Sequence, residues 1–312
     1  MQRRNFMGHM SAGLAGAGLA ACGGSNAGGT STKPTFVFIH GAWHGGWCWS
    51  EVVRLLAEQG YPALALDLPG HGITAKFPAS YLAQPQNVAA LSTEVSPLAA
   101  LTLNDFRDYV LKVIRGLTQD GSGPVILVGH SLGGAVLSSV AEAAPQLIRR
   151  LVYLTAFVPV AFQTVLEYLM QPNFAASEVP PLFVADPSAV GAARINHNAA
   201  DAAYVAKDKS AFYHDVSDAV FPAIANLLTP DEPIQAFTTP AGATAARWGS
   251  VPRAFIRCTA DRAIPLAVQD RMIADADAFT PGNTFVQKTL STSHSPFISN
   301  PPALVDALVS LA

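Results

Sequence analysis

The sequence predicts an α/β fold, a doubly wound and mostly parallel sheet of six strands with an inserted helical cap. Short apolar runs rich in β-branched residues alternate with amphipathic segments, which is the pattern of a parallel sheet covered by helices on both faces. This alternation stops between Pro159 and about Ala246, where aromatic residues are scattered over short helical patterns. The stretch is therefore predicted to be a cap over the carboxyl edge of the sheet, where open α/β folds bind ligands.

Six apolar runs are predicted to be the strands of this sheet. They cover residues 35–39, 61–66, 125–129, 150–156, 253–258 and 284–290. The segments between them predict helices at 50–59, 103–117, 134–144 and 266–277, with a closing helix from Pro302. Asn104 is the predicted N-cap of the second helix. Residues 73–101 show no clear periodicity and are predicted to be a long loop beside the pocket.

The domain organisation follows from where these patterns begin and end. Residues 34–159 and 247–312 are predicted to form the sheet domain, and residues 160–246 the cap. Of the 312 residues, 50% are hydrophobic and 13% are charged, which is enough apolar material for one large core. The net charge of −3 excludes the basic footprint of a nucleic-acid-binding protein. No cluster of His and Cys has metal-ligand spacing, so no metal is expected.

The first 33 residues indicate export and are set apart from the fold. Arg3-Arg4-Asn5-Phe6-Met7 resembles a twin-arginine export signal, and Leu19-Ala20-Ala21-Cys22 resembles a bacterial lipobox. Residues 1–21 are predicted to be a signal peptide, Cys22 the acylated residue, and residues 22–33 a flexible tether. We expect twin-arginine export and a lipid anchor at a membrane surface, on the periplasmic side or the outer surface of a bacterial cell. The alternative is a disordered leader with an incidental cysteine.

The pentapeptide Gly129-His-Ser-Leu-Gly133 predicts a nucleophile at Ser131. It lies between a buried-type strand and a helical pattern, which is the setting of a nucleophile elbow, a tight turn that lifts a serine above the sheet edge. A side chain at Gly129 or Gly133 would collide where the strand turns into the helix. Ser131 would also precede a helix N-terminus, where the backbone N–H of Leu132 can face developing negative charge. A Gly-x-Ser-x-Gly pattern also occurs by chance, so the prediction depends on its position between a strand and a helix.

A glycine-rich loop directly after the first strand, His40-Gly-Ala-Trp-His-Gly-Gly-Trp47, predicts a second N–H donor. A loop of this kind beneath an active site can present a free backbone N–H to an oxyanion, and Ala42 is the candidate. Ala42 and Leu132 would then form an oxyanion hole together. The alternative is an ordinary strand-to-helix turn.

A serine hydroxyl needs a base, and the base needs a group that holds its tautomer. In this architecture the order along the chain is serine, acid, histidine. His294 is the only one of the eight histidines that follows the last predicted strand, so it is the candidate base. Asp261 lies three residues beyond Cys258, the end of a strand, and is the candidate acid. The other position where the acid could lie, after the strand that ends at Ala156, has no acidic residue before Glu167.

Other residues compete for these roles. Four histidines lie in predicted loops, where they could serve packing or substrate contacts instead; they are His40, His44, His71 and His130. If Asp261 is not the acid, Glu167 and Asp231 are the next residues to test.

Four stretches of the chain resemble the α/β-hydrolase superfamily, in particular its methylesterase and hydroxynitrile lyase branch and the bacterial esterase relatives of that branch. They are residues His40–Trp49, Ala65–Gly72, Val128–Gly134 and Cys258–Pro265. The resemblance extends over most of the chain outside residues 1–33 and is weaker in 73–101 and in the cap. It implies that Ser131, Asp261 and His294 form a catalytic triad, that the Ala42 and Leu132 N–H groups form the oxyanion hole, and that no cofactor is used. The sequence Ser293-His294-Ser295 departs from the Asp-His of many members.

Two cysteines, Cys48 and Cys258, remain once Cys22 is set aside, and an oxidising compartment would allow a disulfide between them. The resemblance implies that strand 253–258 lies three positions from strand 35–39, a gap of about 14 Å at ~4.8 Å per strand. A disulfide needs Cα atoms within about 7 Å of each other. Both thiols are therefore expected to be free and buried.

The expected activity is hydrolysis of carboxylic esters of small, apolar or aromatic molecules through an acyl-enzyme, so the expected partner is a small-molecule ester. Lactones, amides and carbon–carbon bonds stay open as substrates, because the same machinery serves them. A hydroxynitrile lyase is less expected, because lyases of that branch carry Thr and Lys where this chain has Gly41 and Ser295. The complete set of Ser131, Asp261 and His294 disfavours a non-catalytic binding protein. A Ser nucleophile argues against dehalogenase and epoxide hydrolase chemistry, and the oligomeric state is left open.

Overall fold

The strands form one large parallel sheet and one small antiparallel ribbon in the computed structural model, which describes residues 33–119, 121 and 123–312. Within these residues the strands are β1 Phe36–Ile39, β2 Ala63–Leu66, β3 Val125–Ser131, β4 Ile148–Ala156, β5 Ala192–Arg194, β6 Asp231–Pro233, β7 Arg253–Cys258 and β8 Val286–Leu290. The large sheet has the order β2-β1-β3-β4-β7-β8 with every pair parallel, and β5 pairs with β6 antiparallel. The predicted six-stranded α/β fold is confirmed, and its strand ends differ from the prediction by at most two residues.

Every connection between consecutive strands contains at least one helix. They are α1 Ser50–Glu58, α2 Ala79–Leu82, α3 Val88–Leu91, α4 Leu103–Thr118, α5 Gly133–Ala143, α6 Val165–Leu169, α7 Pro187–Val190, α8 Ala202–Tyr213, α9 Phe221–Ala225, α10 Ile234–Thr238, α11 Leu266–Phe279, α12 Pro296–Ser299 and α13 Pro301–Val309. Short 3-10 turns lie at Gly46–Trp49, Gly72–Thr74, Pro145–Leu147, Pro172–Ala176, Pro180–Leu182 and Trp248–Ser250. The closing helix predicted from Pro302 begins one residue earlier, at Pro301, and α12 precedes it. The two are separated at Asn300, because the residue before a proline avoids the helical conformation.

The N-cap predicted for α4 is wrong by two residues. Thr102, not Asn104, is the cap: its hydroxyl accepts a hydrogen bond from Asp105 N, and the Asp105 carboxylate accepts one from Thr102 N at 2.8 Å. This reciprocal pair is a capping box, which satisfies two backbone donors that the first turn leaves unpaired. Asn104 already lies inside the helix, where its side chain accepts a hydrogen bond from Arg107.

The central strands of the sheet are wholly buried, which explains why they are continuous apolar runs in the sequence. Every residue of β1 and β3 is buried, whereas the two edge strands expose part of their surface, including Leu64 on β2 and Val286 on β8. Cys48 and Cys258 are both free and buried, as expected, and burial raises the pKa of each thiol. Within the described part of the chain, no helix is both long and apolar enough to cross a membrane.

The region predicted to be a cap contains the ribbon β5–β6, which the sequence did not predict. Its strands come from distant positions, and Asp231, Glu232 and Pro233 are poor strand formers, so local propensity opposes the pairing. Arg194 supplies the missing reason. It is fully buried and binds both carboxylate oxygens of Asp231, at 2.6 and 2.7 Å.

Arg194 also orders the segment 73–101, which is not the structureless loop that the sequence predicted. Its Nη1 donates to the carbonyl oxygens of Leu91 (2.6 Å) and Glu94 (2.7 Å). The segment holds α2, α3 and part of a 3-10 turn, and Ser96 N donates to Val190 O at 2.8 Å. The segment is therefore fixed by contacts with residues about a hundred positions away, which no local pattern announces.

Candidate active site

Ser131 lies at the last residue of β3, in the tight turn that leads into α5. Its φ is +53°, a left-handed conformation that a residue other than glycine seldom adopts and that often marks a functional position. The flanking glycines are required by space. A Cβ at Gly129 would lie 2.4 Å from Leu137 Cδ1, and a Cβ at Gly133 would lie 2.7 Å from the carbonyl oxygen of His40. The strand can turn into the helix at this point only because neither residue has a side chain.

The loop after β1 passes directly beside Ser131. A Cβ at Gly41 would lie 2.8 Å from Ser131 Cβ and 2.7 Å from His130 Nδ1, so no side chain fits at that position. The absence of a side chain at Gly41 lets the backbone of the next residue, Ala42, approach the serine.

Two backbone N–H groups next to Ser131 are left without partners. Ala42 and Leu132 are buried, at 4% and 2% exposure, and within the described residues neither backbone N–H donates a hydrogen bond. Buried N–H groups without a partner are rare in proteins, and each instance calls for an explanation. Two of them lining one pocket with a strained serine are suited to stabilising an oxyanion.

The structure brings Asp261 and His294 together. His294 Nδ1 donates to Asp261 Oδ2 at 2.7 Å, and both residues are buried. The other carboxylate oxygen accepts from the backbone N–H groups of Ala263 (2.7 Å) and Ile264 (2.9 Å), and Thr155 donates its hydroxyl to Oδ2. The carboxylate thus accepts four hydrogen bonds, and it fixes the tautomer and the orientation of the His294 ring.

Thr155 contacts the candidate acid Asp261, and sequence reasoning missed it. It lies one residue before the end of β4, the strand next to β7, and its φ of +36° turns the backbone out of the sheet. A polar residue at the carboxyl end of a buried strand was the one signal that could have found it.

Ser131 and His294 line the same pocket, together with Ala42 and Leu132. Within the described residues the Ser131 hydroxyl makes no hydrogen bond to the His294 ring, a looseness that is common in enzymes without bound substrate. With Nδ1 engaged by Asp261, Nε2 is the nitrogen of His294 that can exchange a proton with the serine.

The rest of the pocket is apolar. None of its lining residues is a Lys, Arg, Asp or Glu, and apart from Ser131 and His294 the one polar side-chain group, the Trp43 indole N–H, already donates to Ala193 O at 2.9 Å. Four aromatic residues of the lining come from the predicted cap. The apolar lining consists of Trp43, Phe157, Leu169, Phe174, Val179, Pro180, Phe183, Phe212, Phe237, Ala263 and Ile264. The sequence had indicated aromatic residues in this region, but not which of them face the pocket.

Two of the competing histidines are buried supports of the site. His130 Nε2 donates to the carbonyl oxygen of His294 at 2.9 Å, and burial lowers the pKa of the His130 ring well below its usual value. His44 Nδ1 donates to Ala42 O at 2.7 Å, and its Nε2 accepts from the Tyr213 hydroxyl. Burial lowers the pKa of His44 to about 3, so both rings are neutral and hold backbone near the pocket.

The other two histidines lie next to each other behind the loop after β1. His40 Nε2 accepts from Leu68 N at 3.0 Å, and burial lowers the pKa of the His40 ring. His71 donates Nε2 to Glu232 Oε2 at 2.9 Å and Nδ1 to Pro69 O at 3.2 Å. Burial opposes protonation of His71, but the Glu232 carboxylate, the Pro69 carbonyl and the Asp67 carboxylate together raise the pKa of the ring above its usual value.

The two acids that were kept as alternatives to Asp261 are engaged elsewhere. The Glu167 carboxylate accepts from Thr164 N at 2.9 Å in the capping box of α6, and Asp231 binds Arg194. Within the described residues neither of them hydrogen-bonds to His294. No group of three or more His, Cys, Asp or Glu side chains there could hold a metal ion.

Comparison with known proteins gives a family match over most of the chain. The model of the alpha/beta hydrolase family matches residues 36–307. Methylesterase 1 of Arabidopsis thaliana is 28% identical over 301 residues, which cover 90% of this chain and 96% of that protein. Two chloroplastic relatives from the same plant are also 28% identical, and the matches span 63% and 56% of their length.

Solved structures with the same fold include a bacterial pyrethroid hydrolase and polyneuridine aldehyde esterase. A pyrethroid hydrolase from Sphingobium faniae has a TM-score of 0.69 and 24% identity over 90% of this chain and 97% of that one. Polyneuridine aldehyde esterase has a TM-score of 0.66 and 21% identity over 89% of this chain and 99% of that one. At these identities the likeness bears on the fold alone.

Proposed function

Because this chain belongs to the alpha/beta hydrolase family, we propose that it is a serine esterase that cleaves carboxylic esters of small, apolar or aromatic molecules. One observation supports this most directly. The buried N–H groups of Ala42 and Leu132 have no partner within the described residues, and they line one pocket with Ser131 and His294. An acyl-transfer enzyme needs two such donors when negative charge develops on the carbonyl oxygen of its substrate.

In the proposed mechanism the Ser131 hydroxyl attacks the ester carbonyl carbon while His294 Nε2 takes its proton. Asp261 stabilises the imidazolium that forms, and the Ala42 and Leu132 N–H groups bind the oxyanion of the tetrahedral intermediate. The intermediate collapses as His294 gives the proton to the departing alcohol, which leaves the acyl group on Ser131. Water, deprotonated by His294, then attacks the acyl-enzyme by the same steps and releases the carboxylic acid. No cofactor enters any step.

The lining of the pocket supports a neutral substrate. A charged acyl group would lose its hydration among apolar side chains and would find no opposite charge there. Aromatic rings of Trp43, Phe212 and Phe237 offer faces and edges for a flat or branched apolar group. The name of the relative methylesterase 1 agrees with hydrolysis of an ester.

We expect the purified chain to hydrolyse neutral phenyl, p-nitrophenyl and methyl aryl esters, with kcat/KM at least about 100-fold above that of a monoester carrying a free carboxylate on its acyl chain. The reason is that the carboxylate would have to be desolvated without a partner. Initial rates across the panel measure this, and a lactone and an anilide in the same panel test the alternative substrates. Equal kcat/KM for charged and neutral acyl groups would contradict the substrate class, and no turnover of any ester would contradict the function.

The lyase alternative loses support at the two positions on which it depends. Gly41 has no room for a threonine, since a Cβ alone would lie 2.7 Å from His130 Nδ1. Ser295, where a lyase of that branch has a lysine, is fully buried. Cleavage of a cyanohydrin therefore lacks the cation that would receive cyanide.

The cellular placement is a proposal from the sequence alone, because residues 1–32 lie outside the described residues. The twin-arginine motif and Cys22 in a lipobox support export followed by acylation. We therefore propose an exported esterase that is attached to a membrane. The proposed domain boundaries, with a cap at 160–246, rest likewise on the sequence pattern.

We expect Cys22→Ser to release the protein from membranes and to leave its esterase activity unchanged, because Cys22 belongs to the predicted tether and not to the sheet domain. Acyl burial contributes ~0.8 kcal/mol per CH₂, so two or more chains give an anchor that one alone does not. Membrane fractionation and the intact mass of the mature N-terminus measure this, with Cys48→Ser as the control that keeps the anchor. A mature chain without acyl mass would leave a soluble exported hydrolase.

A further inference from the structure

Trp43 directly follows the proposed oxyanion donor Ala42, and its backbone needs support. Its φ is +63°, in the left-handed region that residues other than glycine seldom adopt. The Trp43 N–H and the Ala42 carbonyl belong to one peptide plane, so a partner that holds this N–H also fixes the chain at Ala42. The direction of the Ala42 N–H therefore depends on what Trp43 is bound to.

Three hydrogen bonds attach Trp43 to the segment 193–232. Its backbone N–H donates to Glu232 Oε2 at 3.1 Å, its indole N–H donates to Ala193 O at 2.9 Å, and its carbonyl accepts from Thr229 N at 2.8 Å. Ala193 and Glu232 lie opposite each other in the ribbon β5–β6. The ribbon thus presents two acceptors side by side to one residue of the loop after β1.

Glu232 is the one of these partners that holds the loop with a side chain. It is 1% exposed, and a buried carboxylate is unfavourable unless it is paired. The pairing comes from His71, whose Nε2 donates to the same oxygen, Oε2, while its Nδ1 donates to Pro69 O. Acceptor oxygens at both ring nitrogens favour the protonated form of His71, which makes it the buried ion-pair partner of Glu232 behind the loop.

We propose that Glu232 is a positioning residue for ester hydrolysis, which holds the Trp43 N–H so that the Ala42 N–H stays directed at the oxyanion. The inference rests on the proposed function. The length of the Glu232 side chain is the property that matters, because one carboxylate oxygen must come within hydrogen-bond distance of the Trp43 N–H. The charge on Glu232 serves the pairing with His71.

Two conservative variants separate reach from charge. Glu232→Gln keeps the length of the side chain and can place its amide oxygen where Oε2 is, so both hydrogen bonds persist without the charge. Glu232→Asp keeps the charge but withdraws the oxygens by about one bond length, ~1.5 Å, from the loop. We expect Glu232→Gln to keep kcat within about threefold and Glu232→Asp to lose about 10- to 100-fold in kcat, with KM changed by less than about threefold. A role that depended on the charge of the buried pair alone would give the opposite order, since Gln removes that charge and Asp keeps it.

A trifluoromethyl ketone reports on the oxyanion hole itself. Ser131 adds to its carbonyl carbon, the proton goes to His294, and the carbonyl oxygen becomes the oxyanion. We expect Glu232→Asp to weaken its inhibition by about the factor lost in kcat, while the matching methyl ketone, which fills the pocket without ready addition, binds within about twofold of wild type. Asp208→Asn is the matched control, because Asp208 is buried, pairs with His197 at 2.8 Å and makes no hydrogen bond to Trp43 within the described residues.

Near-ultraviolet circular dichroism and thermal unfolding establish that each variant is folded. The inference is overturned if Glu232→Asp keeps the wild-type kcat, if Glu232→Gln is the more damaged of the two, if both ketones weaken equally, or if Asp208→Asn lowers kcat as much. A wild-type protein that neither hydrolyses esters nor binds the trifluoromethyl ketone would overturn the proposed function first, and that result is distinct from the other four.

Discussion

We expect Ser131→Ala to lower ester turnover by about 10⁴- to 10⁶-fold and to leave the fold intact. The loss is this large because the hydroxyl is the only proposed nucleophile, and the remaining machinery can only help water to attack. The fold should survive, because alanine keeps the Cβ and the backbone conformation of serine at φ +53° and fills nearly the same space. Steady-state rates on a p-nitrophenyl ester, with circular dichroism of both proteins, measure the two halves of this expectation.

Ser138→Ala is the matched control for Ser131→Ala. Ser138 is a buried serine on α5, seven residues further along the chain, whose hydroxyl donates to Gly134 O at 3.0 Å and bonds to Tyr153. Its loss should reduce stability modestly and leave turnover within about twofold of wild type. If Ser131→Ala keeps even a tenth of the wild-type rate, another group is the nucleophile.

We expect Asp261→Asn to lower kcat by about 10⁴-fold. The Asn oxygen can still accept from the Ala263 and Ile264 N–H groups, which turns the NH₂ group toward His294. His294 Nδ1 would then have to accept, so the proton would sit on Nε2, where it prevents the ring from taking the proton of Ser131. The wrong tautomer, and not a loss of geometry, is the cause of the defect.

Glu167→Gln and Asp231→Asn distinguish Asp261 from the competing acids. Glu167 caps α6, so Glu167→Gln should not affect kcat by more than about threefold. Asp231→Asn weakens the pair with Arg194 in the ribbon β5–β6, and we expect it to lower kcat far less than Asp261→Asn does. A mild Asp261→Asn phenotype together with a severe loss in either of the other two would move the role of the acid to that residue. Steady-state rates over a range of pH, with unfolding curves for each variant, measure this.

The sheet could be predicted from the sequence because its strands are buried on both faces. A strand such as Val125–Val128 has no exposed side, so its apolar run is continuous and ends where the chain leaves the core. The ribbon β5–β6 could not be predicted, because its strands are 37 positions apart in register at Arg194 and Asp231, and their pairing depends on a buried ion pair. The ordered structure of the segment 73–101 could not be predicted for the same reason, since it also depends on contacts with Arg194.

The proposed site residues could be named from the sequence because chain order and strand ends restrict where each one can lie. Asp261 follows β7 and His294 follows β8, so the parallel sheet brings both to the same edge. Their supports could not be named: Thr155 reaches Asp261 from another strand, and Glu232 reaches Trp43 across 189 positions of the chain. Such contacts are decided by tertiary packing, and a single sequence carries no local signal for them.

Reaction of the purified chain with a fluorophosphonate tests most directly whether Ser131 is the nucleophile of an acyl-transfer enzyme. The oxygen of the nucleophile displaces fluoride from phosphorus, and the adduct is stable enough to be located by peptide mass spectrometry. We expect one phosphonyl group per chain, carried by Ser131, together with complete loss of esterase activity. The Asp261→Asn variant should be labelled much more slowly than the wild type. An enzyme that keeps its activity after labelling, or an adduct on any residue other than Ser131, would contradict the assignment.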